Sequence, residues 1–115
     1  MTEAIAFQLE RNGSYPVLRV SGEIDLATAP ALDESLESIP VGVEPIIVDL
    51  SGVGFLDSSG LSVLIRHRQR FTLEDGGNLL RLVVTQDSVK RVLEVTGLAD
   101  VFEIYDSVEG ASAPR

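Results

Sequence analysis

Apolar and polar residues alternate over residues 5–10 (Ile-Ala-Phe-Gln-Leu-Glu), pause at Asn12-Gly13, and resume over 15–21 with Val17, Leu18 and Val20. A period of two interrupted by a turn-forming pair predicts an opening β-hairpin. The period then changes. Ala29, Leu32, Leu36 and Ile39 recur at helical spacing, with Thr28 as the candidate cap and Pro30 in the first turn, which predicts a first helix over 28–38. Pro45 introduces Ile46-Ile47-Val48-Asp49-Leu50, a short β-branched run of the kind found in strands covered on both faces.

Ser51-Gly52-Val53-Gly54 reads as a glycine-punctuated loop. After Asp57-Ser58-Ser59-Gly60, the spacing of Leu61, Leu64, Ile65 and Phe71 predicts a second helix over 59–73, stopped by Gly76-Gly77. Leu79 to Val84 form the next apolar strand, and Val89, Val92 and Leu93 mark a third helix ending at Gly97. Val101 to Tyr105 predict a last short strand. Asp106 and Glu109 have the spacing of a capping box for a final helical turn. The chain therefore divides into one domain over 1–108 and a flexible tail over 109–115.

A hairpin followed by alternating helices and strands predicts a single α/β domain with a mixed sheet of about five strands, mostly parallel, and about four helices. Binding sites in such sheets gather where strands end and helices begin. Here that position is the segment from Ser51 to Gly60.

Charge and composition narrow the function. With 115 residues the chain has room for one core. Its 18 acidic and nine basic residues leave a net charge of −9, which repels nucleic acid and anionic membrane surfaces. No apolar run reaches the roughly 18 residues that span a bilayer, and Met1-Thr2-Glu3-Ala4 lacks the positive start of a secretion signal, so a cytoplasmic protein is expected. The absence of cysteine excludes disulfides, thiol catalysis and Cys-ligated metal sites. Between Val20 and Ile65 there are eight acidic residues and no Lys or Arg, which predicts one strongly negative end.

Enzyme chemistry finds little support. Gly52-Val53-Gly54-Phe55-Leu56-Asp57 lacks the third glycine of a dinucleotide loop, and no phosphate-binding G-x-x-x-x-G-K-S/T occurs. The single histidine, His67, lies among Arg66, Arg68 and Arg70 and reads as a solvated residue on the wet face of the second helix. No G-x-S-x-G elbow surrounds Ser58 or Ser59. Asp25 and Asp57 match no acid/base pattern, so each read alone is a turn or cap residue. No catalytic residue, metal site or cofactor is assigned. Asp57, Ser58 and Ser59 are all good helix N-caps, and composition leaves open which of them takes that role.

The string Gly54-Phe55-Leu56-Asp57-Ser58-Ser59-Gly60-Leu61-Ser62-Val63-Leu64 resembles the signature of the anti-sigma factor antagonists (anti-anti-sigma factors) of the STAS domain family. Ser21-Gly22-Glu23-Ile24-Asp25-Leu26-Ala27-Thr28-Ala29 resembles that family's second marker. The resemblance runs from about residue 5 to 108 and implies a partner-switching cycle. In such a cycle the unphosphorylated protein binds an anti-sigma factor that is also a serine kinase, and a sigma factor is released for transcription. It further implies that the kinase modifies Ser58, that a metal-dependent phosphatase reverses the step, and that ATP belongs to the partner. Asp25 and Asp57 are the acidic positions the resemblance gives to partner binding, with Ser59, Gly60 and Leu61 beside them. For Leu61 a place in the core is the better reading, with an apolar anchor in the interface as the alternative. A STAS subunit of another assembly, such as a lipid-transport complex or a stress-sensing scaffold, is the competing reading.

Overall fold

In a computed structural model, which describes residues 5–13 and 15–113, the hairpin is formed by β1 (Ala6–Asn12) and β2 (Tyr15–Ile24). There follow α1 (Ala29–Glu37), β3 (Ile46–Leu56), α2 (Ser58–Arg70), β4 (Leu80–Val83), α3 (Asp87–Val95), β5 (Glu103–Tyr105) and α4 (Val108–Ser112). The five strands lie in sequence order, with β1 antiparallel to β2 and every later pair parallel. The expected single α/β domain with an opening hairpin is therefore the observed one. Among the described residues, no helix is long and apolar enough to cross a membrane.

The alternation of strand side chains decides the layers. Leu18, Val20, Ile46, Val48, Leu50, Leu80 and Leu82 face α1, α2 and α3, which bury Leu32, Leu36, Leu61, Leu64, Val89 and Leu93 against them. On the other face Val17, Ile47 and Val83 are covered by Val108 and Ala111 of α4. Removing each large aliphatic side chain from water contributes about 1.5–3 kcal/mol, so the three-helix face supplies most of the stability.

Several boundaries differ from the sequence expectation. Strand β3 does not stop at Leu50 but runs through the glycine-punctuated segment to Leu56, because β2 also continues and offers parallel partners to Gly52, Val53, Phe55 and Leu56. Backbone pairing overrides the local glycine preference. Helix α2 ends at Arg70 instead of near 73, where Phe71 turns into the core and Thr72 forms a bridge with Asn78. Before β5, residues Leu98–Asp100 form a 3₁₀ turn, so the last strand is shorter than 101–105. The cap of α4 is Ser107, whose hydroxyl accepts from the Gly110 N–H at 3.0 Å, and not Asp106. The tail expected from 109 starts later, since α4 reaches Ser112 and Ala111 is fully buried. Met1–Ala4, Pro114 and Arg115 lie outside the described residues.

His67 is the clearest correction. It is fully buried between α1 and α2, although arginines flank it on both sides in the sequence. The Arg70 Nε–H donates to His67 Nδ1 at 3.2 Å, so the ring proton sits on Nε2, which donates to Asp33 Oδ1 at 2.7 Å. Arg66 also donates to Asp33 and Glu37, and Arg70 donates to the carbonyls of Leu36, in the last turn of α1, and Ile39, just past its end. A helix end is thus satisfied by arginine from its neighbour, and the two helices are clamped together. Asp33, Glu37 and His67 together have the donor types of a metal site, but the Arg66 guanidinium already occupies the space between the two carboxylates.

Burial pushes the His67 pKa below the ordinary imidazole value, partly offset by its hydrogen bond to Asp33. The unfolded chain therefore takes up a proton that the folded chain refuses. Stability linked to His67 is complete above about pH 6.5 and is lost as pH falls from there toward the depressed folded value. His67 is the only histidine, so it accounts for the slope in that window. Urea unfolding of the wild type between about pH 7.5 and 5.5 should show stability falling with acid, and His67→Gln should flatten the dependence. An unchanged slope in the variant would contradict the assignment.

Candidate functional site

Strands β2 and β3 finish side by side, with Glu23 paired to Phe55 and Ile24 to Leu56. One residue, Asp57, connects β3 to α2. Its N–H donates to the Ile24 carbonyl at 3.2 Å, so the helix start is tied to β2 as well as to β3. The Asp57 backbone is extended (φ −108°, ψ −172°), and its carboxylate accepts from the N–H groups of Ser59 at 2.9 Å and Gly60 at 3.4 Å. Among the three cap candidates, Asp57 therefore fills the role.

Gly60 is buried where α2 meets the strand ends. A Cβ there would lie 2.4 Å from Leu56 Cδ1 and 2.6 Å from Ile24 Cγ2, closer than atoms can approach. The close approach that glycine permits is to this chain's own strands. Leu61 is also buried in the core at 6% exposure. Neither residue is on the surface, and both act by seating the helix. Ser59 is half-buried. Ser58, the first residue of α2, is exposed, and among the described residues nothing bonds its hydroxyl; only its carbonyl is engaged, by Ser62 Oγ at 3.0 Å.

Asp25 stands beside this junction, directly after Ile24. Its Oδ1 accepts from the N–H groups of Ala27 at 2.9 Å and Thr28 at 3.0 Å, while its own N–H donates to Thr28 Oγ1 at 2.9 Å. The pair forms a reciprocal turn that launches α1, as Asx turns do. Thr28, the expected side-chain cap of α1, instead donates its hydroxyl to the Glu23 carbonyl at 2.8 Å. Asp25, Asp57, Ser58 and Ser59 are thus brought together at one end of the sheet.

Two residues that sequence reasoning did not single out complete this surface. Leu26 is 78% exposed at the tip of the Asp25 turn, and Phe55 is 46% exposed on the last stretch of β3. An apolar residue between two turn residues was the available signal for Leu26; Phe55 was hidden by reading its segment as loop. Leu26 also opens a shallow groove of about 340 Å³ between α1 and α2, floored by Pro30 and Val63 and edged by Asp33 and Arg66. The end of the molecule therefore offers apolar knobs, carboxylates and the exposed Ser58 hydroxyl, a composition suited to docking another protein.

Comparison with known proteins identifies the family of the whole domain. The STAS domain family model matches residues 6–111. The chain belongs to the STAS domain family. An anti-sigma-B factor antagonist of Listeria monocytogenes is 36% identical over 102 residues, covering 88% of this chain and 87% of that protein. The corresponding antagonist of Staphylococcus aureus is 30% identical over 93 residues, covering 80% and 84%. Among solved structures, an anti-sigma factor antagonist from Mycobacterium paratuberculosis superposes with a TM-score of 0.81 at 32% identity, covering 94% of this chain and 91% of that one. Unphosphorylated SpoIIAA shares the fold with a TM-score of 0.68 at 24% identity, covering 92% of each chain. In this STAS domain the junction just described is built from the residues of both sequence markers.

The geometry gives Asp57 a structural task that its charge does not carry alone. Asp57→Ala should cost about 1 kcal/mol in urea unfolding, while Asp57→Asn, which keeps a cap oxygen, should cost only a few tenths. Equal losses for the two variants would show that the cap does not hold the start of α2.

Proposed function

We propose that this STAS domain is a phosphorylation-switched binding protein that engages an anti-sigma factor serine kinase when unmodified, so releasing a sigma factor, and lets go when Ser58 carries phosphate. The observation that carries the reading is the exposed, unbonded Ser58 hydroxyl on the first residue of a capped helix. Likeness to anti-sigma-B factor antagonists supports the choice of partner. A binding role, and not an enzymatic one, is favoured because the one histidine is locked between α1 and α2, and no base touches Ser58 among the described residues.

A phosphate adds about −1.5 to −2 charge. Helix N-termini welcome anions, but here the Asp57 carboxylate already holds the amides of Ser59 and Gly60. The modification therefore leaves the fold intact and projects into the docking surface. There a like charge at about 4 Å costs on the order of 4 kcal/mol at an effective dielectric near 20. Half of that weakens binding roughly thirtyfold. A phosphatase acting on phospho-Ser58 restores the binder.

Asp25 contributes charge on the same surface, yet its side chain also makes the turn before α1. Asp25→Asn separates the two roles, since an amide oxygen still accepts from the turn. Calorimetric titration with the cognate anti-sigma kinase should show tight binding by the unmodified chain, roughly thirtyfold weaker binding after phosphorylation, and an intermediate loss for Asp25→Asn with no change in thermal transition. Undiminished affinity of the phosphorylated protein would overturn the proposal.

A further inference from the structure

Strand β1 lies at the edge of the sheet, and among the described residues β2 is its one strand neighbour. Asn12 faces Tyr15 across a two-residue connection, which makes that the closing hydrogen-bonded pair of the hairpin. Hydrogen-bonded pairs then recur at Glu10↔Val17, Gln8↔Arg19 and Ala6↔Ser21. The backbone N–H and C=O groups of Phe7 and Leu9 point the other way, off the edge.

Sheet edges are normally blunted by proline, bulges, short length or charged side chains. Strand β1 has only the last, in Glu10 and Arg11, whose charges are opposite: seven residues pair with β2 without a register shift, and Leu9 is 58% exposed. Beside it the loop before β3 exposes Val41 at 42% and Val43 at 84%. A groove of about 330 Å³ lined by Leu9, Pro16, Pro40 and Val41 runs between strand and loop. The loop is tied to the strand by an ion pair between Arg11 and Glu44 at 3.6 Å.

We propose that this edge pairs antiparallel with β1 of a second copy of the chain, centred on Leu9, giving a weak two-fold dimer that continues the sheet. The strand is complementary to itself in that register. Leu9 meets Leu9, Phe7 falls opposite Arg11, and Gln8 opposite Glu10, so no like charges are opposed. Moving the centre to Glu10 would set two glutamates against each other. A strand edge buries much less than the roughly 1,600 Å² of a standard stable interface, so the dimer is transient. Two chains of net charge −9 also repel, and salt that screens them strengthens the pairing. The loop before β3 lies at the opposite end of that strand from Ser58, so both docking ends stay open in the dimer.

The absence of cysteine makes a clean test possible. A hydrogen-bonded antiparallel pair sets its Cα atoms about 5.5 Å apart, inside the range of about 4.4–6.8 Å that a disulfide spans. Under mild oxidation the full chain carrying Leu9→Cys should form a covalent dimer at least about tenfold faster than Val101→Cys, an exposed site beside the opposite edge. Sedimentation of the cysteine-free chain should show a dimer fraction that rises with salt and is lost in Leu9→Pro, which leaves the β1–β2 bonds intact. Equal oxidation rates, a monomer at the highest workable concentration in high salt, or edge amides protected from exchange only when the anti-sigma partner is added would each overturn self-pairing.

Discussion

The seating of α2 on the ends of β2 and β3 is the contact on which the rest of the molecule depends. Gly60 lets the helix approach until only hydrogen fits between it and the side chains of Ile24 and Leu56. Asp57 then caps that helix, and its N–H closes onto the Ile24 carbonyl. With one connecting residue there is no slack in which Ser58 can turn inward. The serine is held at the first position of the helix, where its carbonyl joins the helical network and its hydroxyl stays in water.

The two aspartates of the sequence markers follow from the same constraint. Each carboxylate is committed to backbone amides, Asp57 at the start of α2 and Asp25 at the turn before α1, so each shapes the surface whose charge it also supplies. The helices that present this surface are fixed from beneath by Asp33, Arg66, His67 and Arg70. Buried, neutral His67 is part of that clamp. The surface is therefore preorganised, and an added phosphate changes its charge without needing to move the fold.

Much of this architecture was legible in the sequence. The alternation over residues 5–10, the helical spacing of Leu32 and Leu36 and the apolar run at Ile46 each state which face is buried, and burial is what the fold satisfies. Ser58 and its aspartate were legible through a motif. What stayed hidden depends on partners distant in sequence. Gly52 and Gly54 read as loop until β2 supplies the neighbouring strand. His67 reads as solvated until Asp33, 34 positions away, accepts its hydrogen bond. Gly60 reads as a place for a partner's backbone until the strand ends beneath it are placed, and Ala111 reads as tail until α4 covers Val17 and Ile47.

Exposure separates the two adjacent hydroxyls: Ser58 is open at the junction and Ser59 is half-buried, which makes Ser58 the residue proposed to meet a kinase. Peptide mass mapping of the chain after incubation with its anti-sigma kinase and ATP tests this directly. Phosphate is expected on Ser58 alone, still added in Ser59→Ala and absent from Ser58→Ala. Phosphate on Ser59 or Ser62, or modification persisting in Ser58→Ala, would contradict it.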